Sequence, residues 1–373
     1  MGSEMCIRDS CSTMESNQQL LPKGEPKVIS SFQTKWSAPS NIALVKYWGK
    51  KEMQIPCNPS VSFTLDQCRT TTSVRFERII NNLDHVSFAI QYDGKPAPSF
   101  EPKVKTFIDR ILPYAPYLKD YHLQIDSVNS FPHSSGIASS ASAMAALAAA
   151  VMDLEQQIYP SLTAEDQIKK CSFLARLGSG SAARSVEGPL VLWGKHAATP
   201  DSSDLFGVRW TKAADVFKTY RDTILLVDKG QKEVSSTVGH NLMHNHPFAE
   251  NRFTQAKAHY QALLTILEKG DMDGFSDLVE REALSLHAMM LTSSPSYILM
   301  HPNTIQIIQE VRRYRKTTAL NLTFTLDAGA NVHLLYPAHE AEKIDQFIAS
   351  DLRKYCQDNE LIYDRVGTGL KKV

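Results

Sequence analysis

Four short stretches of this chain gather residue types that can hold and move charge. In Asn41-Ile42-Ala43-Leu44-Val45-Lys46-Tyr47-Trp48-Gly49-Lys50, two lysines and a tyrosine follow an apolar strand. They offer point charges and a hydroxyl to anionic groups. Lysine also keeps sheet edges soluble, but aromatic residues at a strand end are not required for that. A second stretch, Ser134-Ser135-Gly136-Ile137-Ala138-Ser139-Ser140-Ala141-Ser142, precedes a run of strong helix formers from Ala143 to Leu154. Small residues let backbone N–H groups approach a ligand, and the helix turns its positive end toward it. With serine hydroxyls added, these are the parts of a phosphate cradle. No GKS or GKT follows and the spacing is not GxGxxG, so it is neither a Walker loop nor a dinucleotide fingerprint. A tightly packed helix start needs the same small residues, so both readings stand at this level.

The third stretch, Gly178-Ser179-Gly180-Ser181-Ala182-Ala183-Arg184, ends in arginine. Such an arginine can fork onto a carboxylate or phosphate while backbone amides take the rest; a surface turn with a solvated arginine is the plainer reading. The fourth, Asp327-Ala328-Gly329-Ala330-Asn331, puts a carboxylate at the end of an alternating segment. It reads as a turn former or as a base for a substrate hydroxyl during phosphoryl transfer. His240, His244 and His246 tempt a zinc reading. With no third ligand at a fixed spacing, a solvated or helix-flanking cluster is the reading adopted, and no structural metal is expected.

The elements that must position these residues follow from periodicity and turn chemistry. Strands are expected at Thr34–Ala38 and Ile42–Val45, separated by a Pro39-Ser40-Asn41 turn. Further strands are expected at Ser60–Leu65, Thr70–Phe76, Val86–Tyr92, Tyr121–Val128, Pro189–Trp193, Thr223–Val227, Leu320–Leu326 and Val332–Tyr336. Helices are expected at Val104–Leu112, Ala143–Leu154, from Thr163 through Leu174, at Phe253–Leu267, Met272–Met290 and Thr304–Tyr314, and from Glu340 to Cys356. This reads as α+β in two domains, 28–220 and 221–373, after a tail at 1–27. The first twelve residues (MGSEMCIRDSCS) resemble a translated sequencing adapter and are left out of the fold argument.

Bulk properties exclude several classes. Among 373 residues, Lys+Arg and Asp+Glu each number 40, so the net charge is zero and nothing global advertises nucleic acid or membrane as a partner. No apolar run approaches the roughly 20 residues of a spanning helix. Six cysteines without a CxxC pair suit free thiols in a reducing compartment, which makes the cytoplasm the expected address.

Taken together, the four stretches resemble the mevalonate diphosphate decarboxylases. These sit within the superfamily of small-molecule kinases of the galactokinase, homoserine kinase, mevalonate kinase and phosphomevalonate kinase types. The resemblance runs in order from about Trp36 to Pro337, and Lys46-Tyr47-Trp48-Gly49-Lys50 is the element that separates decarboxylases from kinases. It implies a two-domain fold, ribosomal-protein-S5-domain-2-like at the N-terminal side and ferredoxin-like α/β at the C-terminal side. It implies ATP-dependent decarboxylation of (R)-5-diphosphomevalonate to isopentenyl diphosphate, with Mg²⁺, by a homodimer.

Residue by residue, the resemblance implies that Asp327 deprotonates or orients the tertiary 3-hydroxyl, with Lys46 beside it and Arg184 on the carboxylate. Substrate contacts are implied at Tyr47, Trp48, Gly49, Lys50, Lys103, Ser179, Gly180, Ser181, Ala182, Ala183 and, in Val234-Ser235-Ser236-Thr237, at Thr237. Contacts to ATP are implied at Ser135, Gly136, Ala138, Ser139, Ser140 and Ser142, with Ser139 toward Mg²⁺. The chain departs from the family pattern at His133-Ser134-Ser135, where relatives read Thr-Ala-Ala, at Ala330, where they have proline, and at Lys103, where they have arginine. Because His133 and Lys103 fall where the phosphate tail is read, the alternatives are a 5-phosphomevalonate decarboxylase or a mevalonate-type 3-kinase. An ordinary kinase of the superfamily and a non-catalytic binding protein on the same scaffold stand further off.

Overall fold

The computed structural model describes residues 20–79, 84–132, 137–230 and 236–373, without side-chain detail at 236–237. Its first sheet grows from two long antiparallel neighbours, β1 (Ser31–Val45) and β2 (Ser60–Arg78). The turn expected at Pro39-Ser40-Asn41 does not form. The strand runs through, with register irregularities between Pro39 and Asn41 and between Ala43 and Val45. A bulge absorbs the residue that cannot donate to the ladder and re-aims the side chains beyond it. β2 likewise fuses the two strands expected at Ser60–Leu65 and Thr70–Phe76.

β3 (Ser87–Tyr92) and β4 (Lys95–Pro96) form a hairpin about Asp93 and Gly94, both with positive φ. β5 (Tyr121–Asn129) lies parallel to β3 and antiparallel to β2. β6 (Leu190–Trp193) pairs with the start of β2, and β7 (Val208–Arg209) with β6. The second sheet has the order β11-β8-β10-β9, with β8 (Arg221–Leu225), β9 (Thr323–Leu326), β10 (Val332–Tyr336) and β11 (Leu361–Arg365) all antiparallel. β12 (Lys371–Lys372) returns to the first sheet and pairs with Trp36 and Ser37 of β1.

Helices α1 (Glu101–Ile111), α2 (Ser139–Ile158) and α3 (Ala164–Gly178) cover the first sheet. The alanines of α2 leave room for close packing, and Ala145, Ala146, Ala148 and Ala150 are fully buried. Thr163 caps α3 by accepting from the Asp166 N–H at 3.1 Å. Between α2 and α3, buried Glu155 takes Lys170 Nζ at 2.6 and 2.7 Å and the Tyr117 hydroxyl at 2.9 Å.

The second sheet carries α4 (Ser236–Asn241), α5 (Ala249–Lys269), α6 (Met272–Leu291), α7 (Pro302–Thr318) and α8 (Ala341–Phe347). The single helix expected from Glu340 to Cys356 stops as α-helix at Phe347, then continues as a π turn (Ile348–Leu352) and a 3-10 turn (Arg353–Tyr355). The strand expected at Leu320–Leu326 is shorter, and its four residues are all buried.

A shared core ties the sheets together: Phe63 of β2 packs on Tyr220 and on Phe275 of α6. Asp364 on β11 accepts the N–H groups of Asp66, Gln67 and Cys68 on β2 at 2.7–3.0 Å. This junction brings the end of β1 against the end of β9.

Candidate active site

Lys46 is the first residue past β1, and Asp327 the first past β9. Their side chains meet across the two sheets, Nζ to Oδ1 at 3.0 Å, with the lysine side chain 2% exposed and the aspartate 26%. Lys46 is therefore not the solubilising lysine of a sheet edge. Burial pulls its ammonium below the ordinary value, and the Asp327 carboxylate opposes that pull.

The residues after Lys46 form an aromatic wall. Tyr47 packs edge-on to Trp193 with ring centres 4.7 Å apart, and the His240 ring lies 4.3 Å from Tyr47 and 4.7 Å from Trp48. The Tyr47 hydroxyl is buried with no hydrogen-bond partner among the described residues, and burial raises its pKa. Gly49 needs its positive φ of 96°, and a Cβ there would sit 2.8 Å from the Phe253 ring. Its N–H donates to His240 Nδ1 at 3.0 Å, which puts the proton of the neutral ring on Nε2. Burial lowers the His240 pKa to about 3. Burial also lowers the Lys50 ammonium, with Arg110 adding to the effect.

The Gly/Ser stretch is a 3-10 turn, Gly180–Ser185, rather than an irregular loop. Asn41 Nδ2 fastens it by donating to Ser181 O at 3.1 Å and Ser185 Oγ at 2.7 Å. Gly180 lets the turn close onto Tyr47: a Cβ there would be 2.6 Å from the hydroxyl. Arg184 is 2% exposed, so the solvated-arginine reading fails. It donates through Nε to Ser62 Oγ at 2.5 Å and through Nη1 to Ser60 Oγ at 2.8 Å, and burial lowers its pKa to about 10.

At the start of α2, Ala138 sits in the left-handed region with φ 45° and no side chain caps the helix. Ser139 and Ser140 face the same cavity as Lys46, Arg184 and Asp327, and Lys103 Nζ bonds to Ser140 Oγ. The cavity holds about 670 Å³, and its lining includes the apolar Ile90, Phe100, Val104, Met144 and Leu147.

Of the expected contacts, Tyr47, Trp48, Lys50, Lys103, Ala138, Ser139, Ser140, Ser179, Gly180 and Ser181 all line it. Four do not. Ser142 is fully buried and bonds to Thr70 Oγ1 at 2.6 Å. Ala182 and Ala183 turn into the core, Ala183 O accepting from Ser172, and Gly49 is occupied by His240. Ser135, Gly136, His133, Val234 and Ser235 lie outside the described residues, as does the Thr237 side chain.

His240, expected to be solvated or helix-flanking, does lie at the end of a short helix, but it is buried in the wall rather than solvated. His246 is also buried, its Nε2 3.0 Å from Met289 O. No local signal marks this role, because the aromatic neighbours of His240, Tyr47 and Trp48, come from a distant segment. Among the described residues no group of three His, Cys, Asp or Glu side chains is placed to hold a metal ion. The helix-start hydroxyls of Ser139 and Ser140 supply oxygen donors that suit a Mg²⁺ carried by phosphates, which typically takes few protein ligands.

Residues 38–204 match the model of a diphosphomevalonate decarboxylase-like N-terminal domain, and residues 223–368 that of a mevalonate 5-diphosphate decarboxylase C-terminal domain. The chain is 30% identical to the diphosphomevalonate decarboxylase of Ganoderma lucidum, over 91% of this chain and 86% of that protein. It is 31% identical to that of Saccharomyces cerevisiae, over 84% and 80%. Mevalonate diphosphate decarboxylase from Staphylococcus aureus superposes with a TM-score of 0.78 at 28% identity, covering 92% of this chain and 98% of that one. A solved complex described as MDDEF with MVAPP, AMPPCP and magnesium gives 0.78 at 27%, covering 92% and 99%.

Proposed function

The chain belongs to the mevalonate diphosphate decarboxylase family, ATP- and Mg²⁺-dependent carboxy-lyases acting on 5-diphosphomevalonate, and we propose that Asp327, Lys46 and Arg184 form its catalytic centre. The observation that carries the assignment is the 3.0 Å Lys46–Asp327 pair at the wall of a cavity shared with Arg184 and the start of α2. A tertiary alcohol leaves poorly, so its oxygen is first phosphorylated. Asp327 accepts the hydroxyl proton while Lys46 holds the aspartate in place and offsets its charge. Mg²⁺, when bound with ATP, supplies charge neutralisation on the transferring phosphoryl group.

Ser60 and Ser62 fix the Arg184 guanidinium so that it can take the substrate carboxylate. Loss of the 3-phosphate then draws electrons from the breaking carboxylate bond, giving CO₂ and the alkene. Tyr47, Lys50, Lys103 and the Ser179–Ser181 turn, which line the cavity, take the phosphate tail on this reading. Ala138, Ser139 and Ser140, at the start of α2, take the ATP phosphates on the same reading. On the same reading, residues 28–220 bind both substrates, residues 221–373 carry Asp327, and the enzyme is a cytoplasmic homodimer. Among the described residues no helix is long and apolar enough to cross a membrane.

The test is CO₂ release counted against ADP, with 5-diphosphomevalonate and 5-phosphomevalonate supplied separately. Equal CO₂ and ADP on the diphosphate alone is the expected result. Equal release on the monophosphate moves the substrate, and ADP without CO₂ makes the protein a 3-kinase.

A further inference from the structure

Lys46 and Asp327 come from different sheets, and something must set the distance between them. One helix touches the backbone of both. On α6, fully buried Glu282 accepts the Lys46 N–H through Oε2 at 2.9 Å. Five residues later, buried His287 lies with Nε2 3.1 Å from the carbonyl oxygen of Asp327. A carbonyl only accepts, so Nε2 carries the proton. Burial holds this ring neutral, lowering its pKa to about 4, which leaves one tautomer able to serve.

Glu282 is itself locked. Arg252 of α5 meets it with both Nη atoms, at 3.0 and 2.6 Å, and His259 Nδ1 lies 2.5 Å from Oε1. Although burial alone would raise the Glu282 pKa, His259, Arg252 and the Lys46 N–H together hold it below the ordinary value. Positions 282 and 287 are about 7.5 Å apart along a helix and about 140° apart around it, so they reach two different strand ends. Leu286 between them lines the cavity.

We infer that Glu282 and His287 are positioning residues, and that α6 acts as a rigid gauge fixing Lys46 against Asp327. The inference rests on the assignment of that pair as catalytic. Neither residue is among the cavity-lining groups, so each acts through the backbone it holds rather than on substrate. A misplacement of about 1 Å in such a pair costs on the order of a hundredfold in rate.

The experiment compares His287→Leu with His287→Gln, whose side-chain amide can still donate to the Asp327 carbonyl. Glu282→Gln, which weakens the acceptor for Lys46 without changing its size, is measured beside them. His287→Leu should lower kcat about 10- to 100-fold with KM for both substrates within about threefold, and His287→Gln should recover most of the loss. Glu282→Gln should lower kcat by a smaller factor, again with KM unchanged. An unchanged kcat in His287→Leu, equal losses in the Leu and Gln variants, or a Glu282→Gln effect confined to KM would each overturn the inference. Asp327→Asn separates the two levels. If it is inactive while His287→Leu keeps full kcat, only the gauge falls; if it keeps its turnover, the catalytic assignment falls and the gauge with it.

Discussion

An ammonium as deeply buried as that of Lys46 is tolerated only because a carboxylate meets it, and Asp327 also tempers the buried charge of Arg184. Two buried cations thus converge on one aspartate in a cavity, an arrangement suited to a substrate that brings negative charge of its own. Asp327→Asn keeps an oxygen that can accept from Lys46 Nζ but removes the base. The expected outcome is a fold preserved by circular dichroism, ATP binding retained, and kcat lower by about 10²–10⁴. Near wild-type turnover would falsify the assignment. Arg184 is the other residue whose geometry makes a quantitative demand. Arg184→Lys keeps the charge but loses the planar fork and the paired bonds to Ser60 and Ser62. Catalytic efficiency should drop by about 1.5–3 kcal/mol of transition-state binding, read as kcat/KM with the diphosphate substrate. Equal efficiency in the two enzymes would remove Arg184 from the carboxylate.

At the scale of elements, what could be read in advance depended on whether the signal was local. α2, α3 and α6 were legible because alanine runs, a Thr163 cap and an apolar stripe are properties of neighbouring residues. So were the four charge-bearing stretches. The uninterrupted course of β1 was not, since Pro39 reads as a turn until the long β2 is present to pair on both sides of the bulge. Glu282, His287 and His240 were illegible for a related reason: each acts on a segment at least 40 positions away in the chain. The Glu155–Lys170 pair between α2 and α3 is likewise long-range, and it yields a stability prediction. Glu155→Ala leaves the buried Lys170 ammonium without its counter-charge, with only the Tyr114 carbonyl to donate to, and the Tyr117 hydroxyl with only that of Val151, so unfolding stability should fall by about 3–5 kcal/mol. The denaturation midpoint in urea measures this, and a shift worth under about 1 kcal/mol would mean that water reaches the ammonium. Exposed Lys105–Asp109 on α1 is the control, because such i,i+4 pairs contribute only about 0.3–0.5 kcal/mol.

Across the whole molecule, the buried histidines make stability depend on pH in a direction that can be worked out. His240 and His287 have pKa values of about 3 and about 4 in the fold, against 6.5 when unfolded. Between those values the unfolded chain binds more protons than the native one, so stability rises with pH and is lost as pH falls from about 6.5 toward 4. Each histidine contributes up to about 1.4 kcal/mol per pH unit in that window. Buried Glu155 and Asp222 and half-buried Glu187 push the other way, because burial raises their folded pKa values and the native state then keeps protons that the unfolded chain has released. The raw profile of the wild-type enzyme therefore mixes two opposing slopes, and the histidine part is isolated only as a difference. His240→Asn can still accept the Gly49 N–H, and His287→Gln can still donate to Asp327, so the double variant removes both titrations; the ring packing that His240→Asn loses against Tyr47 and Trp48 lowers stability equally at both pH values and cancels in the difference. Unfolding free energies measured in urea at pH 5 and pH 7 should show the wild type losing more stability at pH 5 than the double variant, by about 2–4 kcal/mol. Parallel losses would mean that both rings are reached by water and protonate in the fold. The assignment of single neutral tautomers beside Gly49 and Asp327 would then have to be withdrawn, and with it the account of how the second sheet holds the end of the first.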